Sequence, residues 1–391
     1  MRDRRRRVSP ELLCALVCSF TGACTTDHWQ RLFGEPGSAS GVLQGIDESG
    51  DGGYLAAGGG TAAPGDPSRM QVVKIDHAGT QQWIHTYPAV EGGVLSAIRR
   101  LSDGSFIACG GSPGTGQPDT QVVVLGIDAN GDELWRTGFG DAQGHHGHCL
   151  GMVPTLDGGI VLAGPEYGTT SASIVVAKLD ADHDLEWVRS LGGIGDGAIA
   201  QHPDGHFVVG VGNPECASCS LHDMQLVHLD AHGDEIARHS YPNAGSDIVG
   251  SVSLTDDGGA LLVGQTWGPM NFDTLRIVRT DATGAELWAR TVTEFAGFSG
   301  NLTASGGYVF VGAGKADYDG QIHDVFLLET DGDGNTQWMN HYGGLGQDWG
   351  YKVQQTPDGG FVVPGSFQEG YTSRMFVIKT DALGDAGLPP I

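Results

Sequence analysis

Oxygen donors at alternate positions are the first chemistry that this sequence offers. Three short segments carry them: Asp128-x-Asn130-x-Asp132, Asp180-x-Asp182-x-Asp184 and Asp331-x-Asp333-x-Asn335. A hard cation such as calcium takes six or more oxygen ligands around a tight turn, so these segments are candidate calcium sites. The glycine and the distal bidentate acid of calcium loops are missing, and the alternative is that each first Asp caps a β-turn. Calcium is the only cofactor that the sequence suggests.

A second set of carboxylates consists of Asp196, Asp247 and Asp348, which occupy comparable places just before predicted innermost strands. If those strands surround one axis, the three acids form a rim around a central channel, where they could hold a cation. The alternative is that each carboxylate accepts backbone N–H bonds from its own loop.

Aromatic residues and histidines add two further candidate features. Rings on predicted loops often stack on sugars or peptide side chains, and the candidate ligand contacts are Trp267, Tyr318 and Trp349. Packing against the interface between neighbouring units is the alternative for them. The run His145-His146-Gly-His148-Cys149 concentrates nitrogen and sulfur donors, but its spacing matches no zinc signature, so solvent-facing histidines are the alternative to a metal site.

The cysteines predict one covalent link. In an exported protein, Cys216-Ala-Ser-Cys219 could close a small disulfide loop, whereas a zinc site would need two more ligands beside them. Cys109 and Cys149 fall in predicted strands, where we expect plain buried thiols.

Three residue series show which elements must position these side chains. Tryptophans recur at 50 to 54 residues with one gap, at Arg238: Trp29, Trp83, Trp135, Trp187, Trp288 and Trp338. Aspartates recur at 50 to 52 residues: Asp76, Asp128, Asp180, Asp230, Asp281, Asp331 and Asp381. A third series marks Asp-Gly turns, as at Asp51-Gly52 and Asp358-Gly359. A fixed period near fifty residues indicates a propeller or a solenoid.

The repeating unit favours a propeller. Each unit holds four short β-rich stretches separated by glycine turns, without a helical period, and four-stranded antiparallel sheets around an axis are propeller blades. Seven units are counted, and the last lacks its Trp strand. The segment from His28 to Phe33 supplies that strand. We therefore predict an all-β, seven-bladed β-propeller over residues 28–391, closed by pairing of the N-terminal outer strand with the C-terminal blade.

The repeat also resembles a known one. Tyr342-Gly343-Gly344-Leu-Gly346-Gln-Asp348-Trp-Gly350, followed by Asp358-Gly-Gly, resembles a propeller repeat common in secreted and surface proteins of bacteria and archaea. The hairpin from Asp281 to Trp288 is similar to the repeat of quinoprotein dehydrogenases and of a propeller lipoprotein that assists outer-membrane protein assembly. The resemblance implies the propeller fold and no settled activity.

The N-terminus predicts export. Five arginines precede a short apolar stretch, Leu12 to Phe20, and Thr21-Gly22-Ala23 then leads to Cys24. Residues 1–23 have the layout of a signal peptide and are too short to span a bilayer. Cys24 resembles the lipidated cysteine of bacterial lipoproteins, with residues 24–27 as a short linker. The expected location is the outer membrane or cell surface, and a secreted or periplasmic protein without lipid is the alternative.

The net charge of the chain restricts its possible binding partners. The chain carries 47 acidic and 21 basic residues, a net charge of −26. Such a surface repels nucleic acid phosphates and anionic lipid headgroups, so nucleic acid is excluded and membrane contact is expected only through the lipid.

No nucleophile elbow, phosphate loop or HExxH motif is present. We predict a monomeric, non-catalytic envelope lipoprotein whose variable-loop face binds a protein or a glycan. The alternative is a polysaccharide hydrolase or lyase that uses acids around the channel.

Overall fold

The structure is a computed structural model that describes residues 28–34, 40–63, 65–87, 92–113, 120–140, 146–167, 172–213, 222–267, 273–293, 295–315, 323–344, 346–370 and 372–387. These residues form thirty β-strands and no helix. Accordingly, no helix long and apolar enough to cross a membrane occurs within these ranges. The all-β prediction is confirmed.

The strands, in chain order, are β1 (Trp29–Phe33), β2 (Ser40–Glu48), β3 (Tyr54–Thr61), β4 (Arg69–Ile75), β5 (Gln81–Thr86), β6 (Val94–Arg100), β7 (Phe106–Pro113), β8 (Thr120–Ile127), β9 (Glu133–Phe139), β10 (His146–Gly147), β11 (Gly151–Pro154), β12 (Ile160–Tyr167), β13 (Ala172–Leu179), β14 (Leu185–Ser190), β15 (Ile194–Gln201), β16 (Phe207–Asn213), β17 (Asp223–Leu229), β18 (Glu235–Tyr241), β19 (Ser246–Leu254), β20 (Ala260–Trp267), β21 (Asp273–Thr280), β22 (Glu286–Thr293), β23 (Phe295–Leu302), β24 (Tyr308–Lys315), β25 (His323–Thr330), β26 (Thr336–Tyr342), β27 (Trp349–Gly350), β28 (Gln354–Gln355), β29 (Phe361–Glu369) and β30 (Thr372–Lys379).

The strands assemble into repeated four-stranded antiparallel sheets, as in a β-propeller. Four sheets are simple meanders: β6 to β9, β15 to β18, β19 to β22 and β23 to β26. In a fifth, the short strands β10 and β11 share the innermost place beside β12, β13 and β14. The remaining strands form one nine-stranded sheet. Its two halves, β2 to β5 and β27 to β30 with β1, meet at a single parallel bridge between Ser40 and Ser373.

The Asp-x-x-Gly turns explain why the third and fourth strands of each sheet form a tight hairpin. Asp76 Oδ1 accepts the backbone N–H groups of Ala78 and Thr80, at 3.0 and 2.8 Å. The fourth residue needs a positive φ, 81° at Gly79, which glycine adopts without strain. The corresponding residue of one turn is His183, with φ of 68°.

Neighbouring sheets interlock through the outer-strand tryptophans. Each ring covers the last residue of the Asp-x-x-Gly turn in the next sheet, so that a Cβ atom on that glycine would meet the ring at 3.0 Å or less. The pairs are Trp29 with Gly79, Trp83 with Gly131, Trp187 with Gly233, Trp288 with Gly334 and Trp338 with Gly384. His239 covers Gly284 in the same way, and Trp135 stacks on His183 with 3.6 Å between ring centroids.

The hydrophobic core lies between the faces of neighbouring sheets. One cluster joins Val311 and Leu327 of β24 and β25 to Phe361 and Val363 of β29, all of them fully buried. Because every sheet contributes both faces to such clusters, burial alternates little along the second and third strands, as in sheets that are covered on both sides.

Buried basic side chains of the third strands are neutralised by carboxylates. In four of the four-stranded units, the Asp of the Asp-Gly turn forms an ion pair with a basic residue on the third strand of the same unit. The pairs are Lys74–Asp51 at 2.7 Å, Lys178–Asp157 at 2.5 Å, Arg279–Asp257 at 2.6 Å and Lys379–Asp358 at 2.7 Å. These carboxylates remain accessible while the basic groups are buried. The pairs therefore keep a buried cation from standing alone.

Candidate functional site

The innermost strands line a central cavity with two parts, which share three wall residues. The face that carries the Asp-Gly and Asp-x-x-Gly turns is the turn face, and the opposite one is the loop face. The loop-side chamber, of about 260 Å³, is lined by Gln44, Ser96, Leu150, Asp196, Gly250, Gln265, Phe298, Tyr351 and Lys352. The turn-side chamber, also about 260 Å³, lies further along the same strands and shares Leu150, Gly250 and Lys352 with it.

Irregular pairing aims side chains into the loop-side chamber. Four innermost strands skip one residue in their pairing with the second strand, and the skipped residues are Gln44, Ser96, Gly250 and Phe298. A bulge leaves its extra residue outside the ladder and re-aims the side chain. Each of these four residues lines the loop-side chamber. The repeated backbone therefore presents a different residue from each of these four sheets.

Asp196 occupies a larger irregularity in β15. Pairing passes from Ile194–Gly212 directly to Ala198–Gly210, so three residues of β15 face one residue of β16. Gly195 and Gly197, with φ of 151° and 68°, supply the backbone conformation that this bulge requires. Burial raises the pKa of Asp196, and the Lys352 ammonium opposes that rise.

Lys352 departs from the repeat at the next position of the strand. The matching residues of the other innermost strands are all small: Gly45, Ala97, Gly151, Ala198, Ser251 and Ser299. Lys352 lines both chambers. Burial lowers its pKa to about 8, repulsion by Arg99 adds to this effect, and attraction to Asp196 opposes it. The ammonium thus stands inside the protein with access to the cavity.

Aromatic rings gather at the loop-side end of the cavity. His323 and Trp349 stack with 5.6 Å between ring centroids and 10° between planes. Trp349 lies 5.8 Å from Phe298, which lies 6.0 Å from Tyr351. We call these four residues the aromatic group. Because each innermost strand runs from the loop face to the turn face, Trp349 lies nearer the loop face than Tyr351. Phe298 and Tyr351 line the loop-side chamber itself.

The three predicted rim acids do not come together. Asp247 is fully buried in its own sheet, where it accepts hydrogen bonds from Asn243 at 2.8 Å and the Met224 amide at 3.2 Å. Arg276 lies 3.5 Å from the same carboxylate.

Asp348 is also fully buried and accepts the backbone N–H groups of Gly344 and Gln368, both at 2.9 Å. Burial raises the pKa of both Asp247 and Asp348. Their oxygens are used by loop hydrogen bonds, as the alternative interpretation of the sequence predicts, and only Asp196 lines a chamber.

Of the predicted ligand-contact aromatics, Trp349 belongs to the aromatic group. Trp267 ends β20, half-buried, and pairs with Ser246 on β19. Tyr318, Cys24, Cys216 and Cys219 lie outside the described residues.

Within the histidine run, His148 is half-buried and its Nε2 lies 2.9 Å from the Ser96 hydroxyl. It therefore contacts the chamber wall rather than facing solvent.

The two cysteines expected to be plain thiols are instead bonded to each other. Cys109 of β7 and Cys149, just before β11, form a disulfide with 5.8 Å between their Cα atoms. The two strands belong to neighbouring sheets, and the ladder partner of Cys109 is Ala97, beside Ser96 in the chamber wall. The expectation of free thiols was wrong because adjacency between sheets is not visible along the chain.

The three candidate calcium segments lie on the turn face. Asp128, Asp180 and Asp331 each use Oδ1 to accept two turn amides, at 2.8 to 3.0 Å. Within each turn, the backbone N–H donors are the residues two and four positions after that Asp: Asn130 and Asp132, Asp182 and Asp184, Asp333 and Asn335. Asp76 and Asp281 make the same bonds in turns that contain no second carboxylate, so the turn does not need the additional oxygen groups. Across the described part of the chain, no group of three or more His, Cys, Asp or Glu side chains is arranged to hold a metal ion.

Sequence reasoning missed Lys352, Arg99, Phe298 and Tyr351. A signal for them exists in the repeat itself. When the innermost strands are aligned on their Asp-Gly turns, most positions are alike, whereas the bulge position changes chemistry from sheet to sheet. Lys352 is the one large residue at a position that is otherwise Gly, Ala or Ser.

Comparison with known proteins supports the fold. Neither a protein-family model nor a curated protein sequence matches this chain. The Dos1 propeller is 10% identical, covering 90% of this chain and 81% of its own, with a TM-score of 0.52. The polysaccharide lyase Uly1 is 12% identical, covering 94% and 95%, with a TM-score of 0.53.

A protein of unknown function from Dyadobacter fermentans is 12% identical, covers 90% and 97%, and has a TM-score of 0.53. At these identities the similarity concerns the fold, and together with the repeated antiparallel sheets it shows that the chain has a β-propeller architecture.

Proposed function

We propose that this chain is a non-catalytic, seven-bladed β-propeller of the bacterial envelope that binds the end of a glycan at the loop-face mouth of its central cavity. The aromatic group carries this proposal. Exposed aromatic faces stack on the apolar faces of sugars, while nearby polar groups fix orientation. Here Trp349 and Phe298 lead into a chamber that offers Asp196, Lys352 and Gln44.

The dimensions of the site fit a chain end better than a broad protein surface. The loop-side chamber measures about 260 Å³ and shares Leu150, Gly250 and Lys352 with the turn-side chamber. A slender, polar molecule can enter such a space, and the varied bulge residues give it one specific environment. A protein partner on the surrounding loops is the other binder that the sequence predicted, and the experiment below separates the two.

The count of seven blades rests on treating the nine-stranded sheet as two blades. Its halves share only the bridge between Ser40 and Ser373. β1 pairs antiparallel with β30, from Trp29 opposite Lys379 to Phe33 opposite Met375. The contact of Trp29 with Gly79 repeats the interlock seen between the other neighbouring sheets. Together these features support closure of the ring by the N-terminal strand.

Export and lipidation are supported by the N-terminal sequence and by the disulfide. Residues 1–27 lie outside the described residues. A stable disulfide such as Cys109–Cys149 is typical of oxidising compartments, including the bacterial periplasm and the cell surface. Intact-mass spectrometry on protein from native membranes tests the anchor. A diacylglyceryl addition at Cys24 supports it, whereas an unmodified mature chain contradicts it.

A polysaccharide-cleaving enzyme is the second candidate. Asp196, Tyr351 and Lys352 share one chamber. Burial raises the pKa of Asp196 and Tyr351 and lowers that of Lys352, so it favours the neutral form of all three groups. Shifted groups in a cleft are typical of proton-transfer sites. Among the described residues that line this chamber, Asp196 is the only carboxylate. A glycosidase needs two facing carboxylates, so a lyase fits better than a hydrolase.

Titration calorimetry with a neutral oligosaccharide, cellohexaose, and an acidic one, trigalacturonate, tests the binding proposal. We expect Trp349→Ala to weaken binding of whichever sugar the wild type prefers by about five-fold, since a stacked ring contributes about 1 kcal/mol. Trp267→Ala is the matched control, because Trp267 is a half-buried tryptophan near the loop face but outside the aromatic group. Its affinity should equal that of the wild type.

Absence of binding, or loss with Trp267→Ala but not with Trp349→Ala, would overturn this site. The same samples should be assayed for new reducing ends and new carbon–carbon double bonds. Product from the wild type that disappears in Lys352→Met would replace the binding proposal with the lyase.

A further inference from the structure

Two half-buried cations in the central cavity lack the carboxylate partners that the fully buried cations of this chain have. Lys74, Lys178, Arg276, Arg279 and Lys379 are buried, and each lies within 3.5 Å of a carboxylate. Arg99 and Lys352 both line the turn-side chamber. Within the described ranges, neither forms an ion pair with a carboxylate. This is notable because acids outnumber bases 47 to 21 in the sequence.

Of the carboxylates near the two cations, Asp47 already accepts other hydrogen bonds, and Asp196 attracts Lys352 only from the loop-side chamber. Asp47 lines the same chamber, but it accepts the backbone N–H groups of Glu48 and Arg100, both at 2.8 Å, and the Gln354 amide at 3.3 Å. Asp196 faces the loop-side chamber and does not line the turn-side one. The positive groups therefore have no dedicated counter-ion in the chamber that they share.

The surroundings hold the two cations in place. Arg99 donates a hydrogen bond from Nη1 to the carbonyl oxygen of Ile98, at 2.9 Å, which leaves its other N–H groups for a ligand. Lys352 stands where all the other innermost strands have a small residue, and its side chain projects into the cavity. Two like charges held near each other are costly, and an anion between them relieves the repulsion.

We infer that the turn-side chamber binds a carboxylate group between Arg99 and Lys352. The ligand is a slender molecule that carries such a group, either an acidic sugar at a glycan end or a small free organic acid. This inference rests on the proposed function, because the ligand enters through the loop-side mouth. The guanidinium and the ammonium supply charge-assisted hydrogen bonds, which are the stronger class in proteins.

Titration calorimetry with three probes tests the inference: galacturonate, its neutral parent galactose, and succinate. For the wild type we expect galacturonate to bind at least about ten-fold more tightly than galactose, the ratio that one charge-assisted hydrogen bond gives. Lys352→Met and Arg99→Gln should abolish that preference. Lys352→Arg should keep it. Arg69→Gln removes an exposed cation outside the cavity and should match the wild type.

The outcomes distinguish this inference from the proposed function. Equal affinity for galacturonate and galactose in the wild type overturns the carboxylate site while leaving Trp349-dependent glycan binding intact. Succinate that binds as tightly as galacturonate, with the same dependence on Lys352, supports the site and identifies free organic acids as the source. A preference that survives in both Lys352→Met and Arg99→Gln, with unchanged melting temperatures, overturns the assignment of these residues.

Discussion

The Trp29 indole N–H donates a hydrogen bond to the carbonyl oxygen of His77, 3.0 Å away, although 48 residues separate them. Trp29 belongs to β1, at the outer edge of the sheet that contains β30, whereas His77 lies in the turn after β4. β1 therefore contacts both halves of the nine-stranded sheet. If the ring is closed as proposed, this hydrogen bond is one of the contacts that hold it closed.

Removal of the Trp29 ring should destabilise the whole propeller. Trp29 is 4% exposed and packs in a cluster with Phe33 and Val377. Truncation of a buried tryptophan costs about 3–5 kcal/mol, so Trp29→Ala should lower the free energy of unfolding by about that amount. Urea unfolding measures it. Gln30→Ala, a partly exposed residue of the same strand, should cost under about 1 kcal/mol. Equal effects would argue that β1 does not fasten the ring.

The Cys109–Cys149 disulfide should stabilise the interface between two neighbouring sheets. The bond closes a loop of 40 residues, for which the chain-entropy model gives about 4 kcal/mol, with measured values often lower. The double variant Cys109→Ala, Cys149→Ala should therefore melt several degrees below the wild type. A reducing agent should lower the wild-type melting temperature toward that of the double variant and leave the variant unchanged. A wild type indifferent to reduction contradicts the pairing.

The repeat made the strands predictable, because each turn demands particular residues. Asp-Gly and Asp-x-x-Gly turns recur at a fixed period, and glycine at the positive-φ position leaves few alternatives to a tight hairpin. The same regularity allowed the missing outer strand of the last unit to be assigned to residues 28–33, and β1 does pair with β30.

The site was less predictable, because it depends on departures from the repeat and on contacts across the axis. Asp247 and Asp348 look like Asp196 along the sequence, yet bulge geometry sends only Asp196 into a chamber. Phe298 and Tyr351 come together from different sheets, and no local pattern marks that proximity. Cys109 and Cys149 likewise become neighbours only when one sheet packs on the next.

Calcium should leave the stability of the protein unchanged. Each candidate turn already uses its first carboxylate to accept two backbone amides, and Asp76 forms the same turn beside alanine and threonine. A thermal melt in calcium or in chelator should give the same melting temperature within error. A rise of several degrees in calcium, lost in Asp180→Asn, would instead establish the Asp-rich hairpins as metal sites.

Lys352 should make the protein more stable as the pH rises from 8 toward 10. Its pKa is about 8 in the fold and near 10.5 in an unfolded chain, so between these values the unfolded state binds more protons. Stability therefore increases with pH in this window and is lowest, with respect to this group, below pH 8. The charged neighbours are Asp196 on β15, Arg99 on β6 and Asp47 on β2.

Two substitutions separate the charge of Lys352 from its packing. Lys352→Met should be more stable than the wild type at pH 7, by on the order of 2 kcal/mol, and should lose the rise between pH 8 and 10. Lys352→Arg keeps a permanent charge and should also lose the rise, but without the gain at pH 7. Urea unfolding at pH 7, 8, 9 and 10 gives all three curves. Parallel curves for the three proteins would mean that Lys352 titrates as an ordinary surface lysine, and the carboxylate site would then lose its buried cation.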